Sequence, residues 1–66
     1  MTAVVNGEPR ELAPGSSAGD LVRAMGLGAG WVVVERNGEA LLRSEIDTVR
    51  LADGDVIEVI RAVAGG

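Results

Sequence analysis

Few side chains in this sequence have chemistry to offer. It contains no cysteine and no histidine, so it lacks a thiol nucleophile, an imidazole base and the ordinary ligands of zinc or iron. Ser16, Ser17 and Ser44 have no base to activate them, and unassisted serine is a poor nucleophile. Asp53 and Asp55 flank Gly54 in "ADGD". That spacing imitates a general acid/base pair, but a tight turn accounts for it better. The remaining carboxylates fall in turns or beside arginines, where solvated surface charge is expected. "GLGAG" at Gly26–Gly30 has glycines, yet no strand precedes it and no Lys-Ser/Thr follows it, so it reads as a loop rather than a phosphate cradle. No catalytic residues and no metal site are expected, and the chain is not expected to be an enzyme.

One reactive group remains, the carboxylate at the end of "RAVAGG". Ala62 to Gly66 is thin, because most of its side chains are a methyl or nothing. Extended, the final four residues span roughly 13 Å, and Gly65 and Gly66 accept whatever backbone angles a narrow cleft imposes. A carboxylate resists nucleophiles until its oxygen becomes a leaving group. Attack on the α-phosphorus of ATP, held in a partner's site, gives an acyl-adenylate. A sulfur nucleophile then displaces AMP and leaves a thiocarboxylate. Nothing in this chain could bind ATP, so that chemistry is borrowed. The bland alternative is a frayed end, since glycine is abundant here. The Gly-Gly pair gains force from an apolar approach strand and from the missing catalytic groups.

The elements that must carry such a tail are few. Sixty-six residues form one domain with a single core and no room for an enclosed active site. With neither disulfide nor metal staple available, stability must come from an economical, regular fold. The net charge is −4 and the pI near 4.5, with the basic residues scattered. This argues against nucleic acid or an anionic membrane as partner and mildly for a basic docking surface. Trp31 is the only aromatic residue, so there is no platform for stacking bases. All six basic residues are arginines. No run reaches transmembrane length and the N-terminus lacks the order of a signal peptide, so the cytoplasm is the expected location.

Thr2–Asn6 and Arg10–Ala13 predict a hairpin around Asn6-Gly7, with Pro9 at a strand start or edge. "SSAGDLVRAMG" predicts a helix of about nine to ten residues. Ser17 is its N-cap, Asp20 completes a capping box and Gly26 is its left-handed stop. Ala18, Leu21, Val22 and Met25 form its apolar stripe. Val32–Val34 lead into a second Asn-Gly turn at Asn37-Gly38, with a return strand Glu39–Leu42, and Glu35, Arg36 and Glu39 on the hairpin surface. One helical turn is expected near Ser44–Asp47, then a turn at Ala52–Asp55 and a last strand Val56–Arg61. One helix and about five strands predict an α+β domain, the helix packed across one face of a mixed sheet. The first and last strands then pair in parallel at its centre, a β-grasp arrangement. The body is expected over 1–62 and a flexible tail over 63–66.

Strand alternation puts Ala3, Val5, Val32, Val34, Ile57 and Val59 toward the helix. Val4, Val33, Val56 and Ile60 then face outward with Glu35 and Glu58. Outward valines can be mere β-propensity. On neighbouring strands they are also expected to form a contiguous docking patch at the same strand end as the tail.

End to end, the sequence resembles the ThiS family of sulfur carriers in thiamine (thiazole) biosynthesis, within the ThiS/MoaD branch of the ubiquitin-like β-grasp superfamily. The likeness runs through "VNGEPREL", "SAGDLVRAMG", "VVVERNGEALLRSEID" and "LADGDVIEVIRAVAGG". Its most specific parts are "ERNGE", "DGD" followed by "IEVI", and the terminal Gly-Gly. The resemblance implies that Gly66 is adenylated by a ThiF-type enzyme using ATP and Mg, then converted to a thiocarboxylate with sulfur from a donor protein. A ThiG-type thiazole synthase accepts the sulfur. Ala64 stands where some members have a third glycine, so Ala64 and Gly65 are the residues that thread the cleft. Three rivals remain. A MoaD-like carrier for molybdopterin shares fold and chemistry. A ubiquitin-like modifier would form an isopeptide, and without lysine this chain cannot build chains on itself. A passive binding domain would use the sheet face alone.

Overall fold

Two Asn-Gly pairs reverse the chain in the same way. Asn6 and Asn37 sit at φ 50° and 51°, and Gly7 and Gly38 follow at φ 84° each. Both central residues of each turn are therefore left-handed, the type I′ geometry that matches strand twist. The protein is described over residues 1–61 from a computed structural model. The first turn joins β1 (Thr2–Val5) to β2 (Glu8–Glu11), and the second joins β3 (Val32–Arg36) to β4 (Glu39–Ala40). Helix α1 (Ala18–Ala24) lies between the hairpins. A single-turn helix α2 (Arg43–Ile46) follows β4, and β5 (Val56–Arg61) comes last.

The strand order is β2-β1-β5-β3-β4, with β1 and β5 parallel and the other pairs antiparallel. The last strand thus occupies the centre of a mixed five-stranded sheet, as the β-grasp expectation requires. Core formation follows the alternation. Ala3, Val5, Val32, Val34, Ile57 and Val59 are all buried, against Ala18, Leu21 and Val22 of α1 and against Ile46 and Leu51. Met25 packs at the margin of that cluster.

Some boundaries differ from the sequence reading, each for a local reason. The β2 strand runs over Glu8–Glu11 rather than Arg10–Ala13, because a two-residue turn at Asn6-Gly7 restarts pairing at once: Val5 faces Glu8 and Val4 faces Pro9. Pro9 is tolerated because β2 is an edge strand. Helix α1 has seven residues, shorter than the nine to ten expected, since Met25 already serves as its C-cap and Gly26 turns left-handed at φ 77°. Its start is as expected: Ser17 Oγ accepts from the Asp20 N–H at 3.1 Å and Asp20 Oδ2 accepts from the Ser17 N–H at 2.9 Å. The β4 strand ends at Ala40 instead of Leu42, because the chain leaves the sheet to begin α2, where Glu45 caps the Leu42 N–H at 2.8 Å. The loop "GLGAG" closes in a 3₁₀ turn at Ala29–Trp31.

Candidate functional site

The expected site lies at the end of β5, so the way that strand is held decides how the tail is presented. Its two flanks are hydrogen-bonded by β1 and β3, and both turn asparagines add to this. Asn6 Oδ1 accepts from the Val59 N–H at 2.9 Å, while its amide reaches the Val59 carbonyl at 3.4 Å. Asn37 Oδ1 accepts from the Val56 N–H at 2.9 Å, and the Asn37 N–H donates to the Val56 carbonyl at 2.7 Å. The sequence reading used these asparagines only as turn formers. Each also clasps the backbone of β5, one from either side.

Beneath the start of β5 sits a carboxylate that the sequence reading placed in a turn without foreseeing its burial. Asp55 is buried and is not solvated surface charge. Its Oδ2 accepts from the Ala52 N–H at 2.7 Å and from Arg36 Nε at 2.8 Å, and its Oδ1 accepts from the Asn37 amide at 3.1 Å. Burial alone would raise its pKa; the bonds from Ala52, Asn37 and Arg36 outweigh that and hold it below the usual aspartate value. A carboxylate so held is ionised and fully engaged, which suits neither a general acid nor a free base. Arg36, expected on the hairpin surface, is half-buried in this ion pair. Asp53 is the exposed partner in the turn, accepting from the Thr2 N–H at 2.8 Å. The turn reading of "ADGD" therefore stands, with Gly54 at φ 83°, and Asp55 ties that turn to the β3–β4 hairpin.

The other candidates are structural as well. Ser17 is a buried helix cap and Ser16 donates to the Ala13 carbonyl at 2.6 Å. Among the described residues no cluster of three or more acidic residues could hold a metal ion. No helix there is long and apolar enough to cross a membrane. Ala64, Gly65 and Gly66, expected to thread a cleft and carry the reactive carboxylate, lie outside the described residues.

The sheet face opposite α1 carries Val4, Val33, Val56 and Ile60, but not as the contiguous patch expected. Val4 pairs with Val56 at the beginning of β5, and Val33 pairs with Ile60 near its end. Between them Glu35 stands directly opposite Glu58. Four strand steps, about 13 Å, separate Val56 from Ile60. An acidic pair thus divides the apolar face in two. Only the Val33–Ile60 half lies at the strand end from which the tail departs. The alternation of β5, "VIEVIR", had already shown Glu58 facing outward; what the sequence left open was the register that sets Glu35 against it.

Comparison with known proteins assigns this architecture. A family profile described as the ThiS family matches residues 3–66. The chain belongs to the ThiS family. It is 40% identical over 62 residues to the sulfur carrier protein ThiS of Thermus thermophilus, covering 94% of this chain and 95% of that one. The crystal structure of a thiamine biosynthesis protein (ThiS) from Geobacter metallireducens superposes with a TM-score of 0.82 at 35% identity over the whole of both chains. Its solution structure gives 0.81, covering 100% of this chain and 88% of that one. A thiazole synthase of Paramagnetospirillum magneticum is 33% identical over 66 residues; the chain spans 20% of the length of that relative.

Proposed function

We infer that this ThiS-family chain is a sulfur carrier of thiazole formation in thiamine biosynthesis, with residues 1–62 as a rigid handle and 63–66 as the working tail. In this reading a carboxylate oxygen of Gly66 attacks the α-phosphorus of ATP bound by a ThiF-type adenylyltransferase, and pyrophosphate departs. The terminal sulfur of a persulfide on a donor protein attacks the acyl carbon and AMP leaves. A further thiol then attacks the donor's sulfur of the resulting acyl disulfide, forming a disulfide with the donor and releasing the terminus as a thiocarboxylate. A ThiG-type thiazole synthase takes up that sulfur. The chain supplies no catalytic side chain and binds no cofactor of its own; ATP and Mg belong to the activating enzyme.

The observation that carries the reading is the match to the ThiS family over residues 3–66, which includes the Gly-Gly end as well as the body. The thiazole synthase relative, with a segment similar to this entire chain, favours the thiazole route over a molybdopterin one. The central position of β5 supports the handle-and-tail division, because a strand bonded on both sides gives the tail a fixed point of departure.

Intact mass spectrometry after incubation with a ThiF-type enzyme, ATP and a sulfur donor tests this. The expected product has one oxygen replaced by sulfur, located at Gly66. Removing Gly65 and Gly66 is expected to abolish the mass change while leaving the fold intact. A truncated chain that still supports thiazole formation would refute the reading.

A further inference from the structure

The four outward β-branched residues leave the largest exposed apolar side chain out of account. Trp31 is 63% exposed and is the only aromatic residue of the protein. The fold does not need it: it stands outside the buried cluster and outside the apolar residues packed against that cluster. Its neighbour in space is Gly28, where an added Cβ would lie 3.4 Å from the indole Cδ1. The glycine keeps that side of the ring clear.

The place of Trp31 in the sheet is informative. Val32 pairs with Arg61, so Trp31 stands one step past the last described position of β5, the strand from which the chain continues into its final residues. The apolar pair Val33–Ile60 is next to it along the same two strands. Arg43 Nη2 donates to the Gly30 carbonyl at 3.4 Å, which brings its guanidinium to the same turn. Arg43 and Arg61 are exposed, and neither forms an ion pair among the described residues. The protein is acidic overall, yet beyond the Glu35–Glu58 pair the exposed indole has the Arg43 guanidinium at its own turn, while Arg61 shares the face of Val32 across the two strands.

We propose that Trp31 is the anchor by which the activating enzyme grips this carrier, with Arg43 as its charged flank. This rests on the carrier reading above. An enzyme that must bring Gly66 to a bound nucleotide encloses the tail as far as its root, so the rim of its cleft meets Trp31. Those side chains specify that rim: an apolar recess that receives an indole, bordered by a carboxylate facing Arg43. Tryptophan and arginine dominate the energetics of such contacts because they combine large buried area with directed polar groups.

Steady-state adenylation by a ThiF-type enzyme, followed as pyrophosphate release against carrier concentration, tests the proposal. Trp31→Ala is expected to raise KM for the carrier about thirtyfold, the effect of losing ~2 kcal/mol of docking, with kcat unchanged at saturation. Trp31→Phe recovers part of the loss, and Arg43→Glu raises KM in a manner that weakens with added salt. Carrier labelled with 5-fluorotryptophan has a single fluorine resonance, which shifts on binding the enzyme; far-UV circular dichroism confirms that each variant is folded. A KM for Trp31→Ala within about threefold of wild type overturns the proposal, as does a loss confined to kcat. So does a loss seen only in sulfur transfer to a thiazole synthase, which would place the recess on that enzyme. A wild-type chain that is never adenylated overturns the carrier reading and this one together. An activated wild type with an indifferent Trp31→Ala variant overturns this one alone.

Discussion

Replacing Asp55 by alanine removes the acceptor for three donors at once, the Ala52 N–H, the Arg36 Nε–H and the Asn37 amide. Hydrogen bonds to a charged group contribute about 1.5–3 kcal/mol each and neutral ones about 1, but these three share one carboxylate and do not add. Stripping one partner from a buried ion pair costs about 3–5 kcal/mol. Arg36 keeps 28% of its side-chain surface in contact with solvent, and water recovers part of that cost. The loss expected is therefore ~3 kcal/mol. A domain of this size has about 3–10 kcal/mol in total, and each kilocalorie moves its melting temperature by about 4–8 °C, so a fall of roughly 20 °C is expected. Urea and thermal denaturation followed by far-UV circular dichroism measure it; Trp31 is too exposed to report on the core. The pH dependence supplies a second check. Because the folded pKa of Asp55 is depressed, its contribution is present above the unfolded value of about 3.9 and disappears as pH falls through the lower folded value. Wild type should lose stability in that acid range, and Asp55→Asn should lack this share of the loss. A change below about 1 kcal/mol at neutral pH, or an unaltered acid limb in Asp55→Asn, would refute the assignment of Asp55 as the tie between turn and hairpin.

Two further substitutions probe the frame around β5 and α1. Asn37→Gly keeps the left-handed backbone of the turn but deletes the side-chain bonds to Val56 and Asp55, and is expected to cost about 1–2 kcal/mol in chemical denaturation; no loss would mean that the clasp adds nothing to the turn. Gly19→Ala offers the helix about 1 kcal/mol, yet the new Cβ would come within 2.0 Å of Asp47 Oδ1. Asp47 must swing aside and release Arg23, so the single variant should be close to neutral. In an Asp47→Ala background the same change should stabilise by about 1 kcal/mol in thermal melts.

The sequence made the fold legible where one residue type answers one geometric demand. Both Asn-Gly turns, the Ser17–Asp20 capping box and the span of β5 needed only local rules. Strand alternation named the six sheet residues of the core. What escaped was long-range. Asp55 looks like any aspartate in a turn until Arg36 and Asn37, nineteen and eighteen positions earlier in the chain, fold over it. The opposition of Glu35 and Glu58 depends on the register between β3 and β5, which neither strand encodes alone. Trp31 was read for what it excluded, base stacking, and only the pairing of Val32 with Arg61 brought it to the end of β5. The chemistry assigned to Gly66 was legible from the terminal residues and the family likeness, not from any arrangement of side chains.

Because β5 lies between β1 and β3, a pull on residues 62 onward runs along the axis of a strand bonded on both edges. Such a load is shared by the rungs of two ladders in shear, whereas an edge strand would unzip one rung at a time. Traction on the tail, as when an enzyme draws it into a channel or an unfoldase seizes it, therefore meets the mechanically strongest part of the sheet.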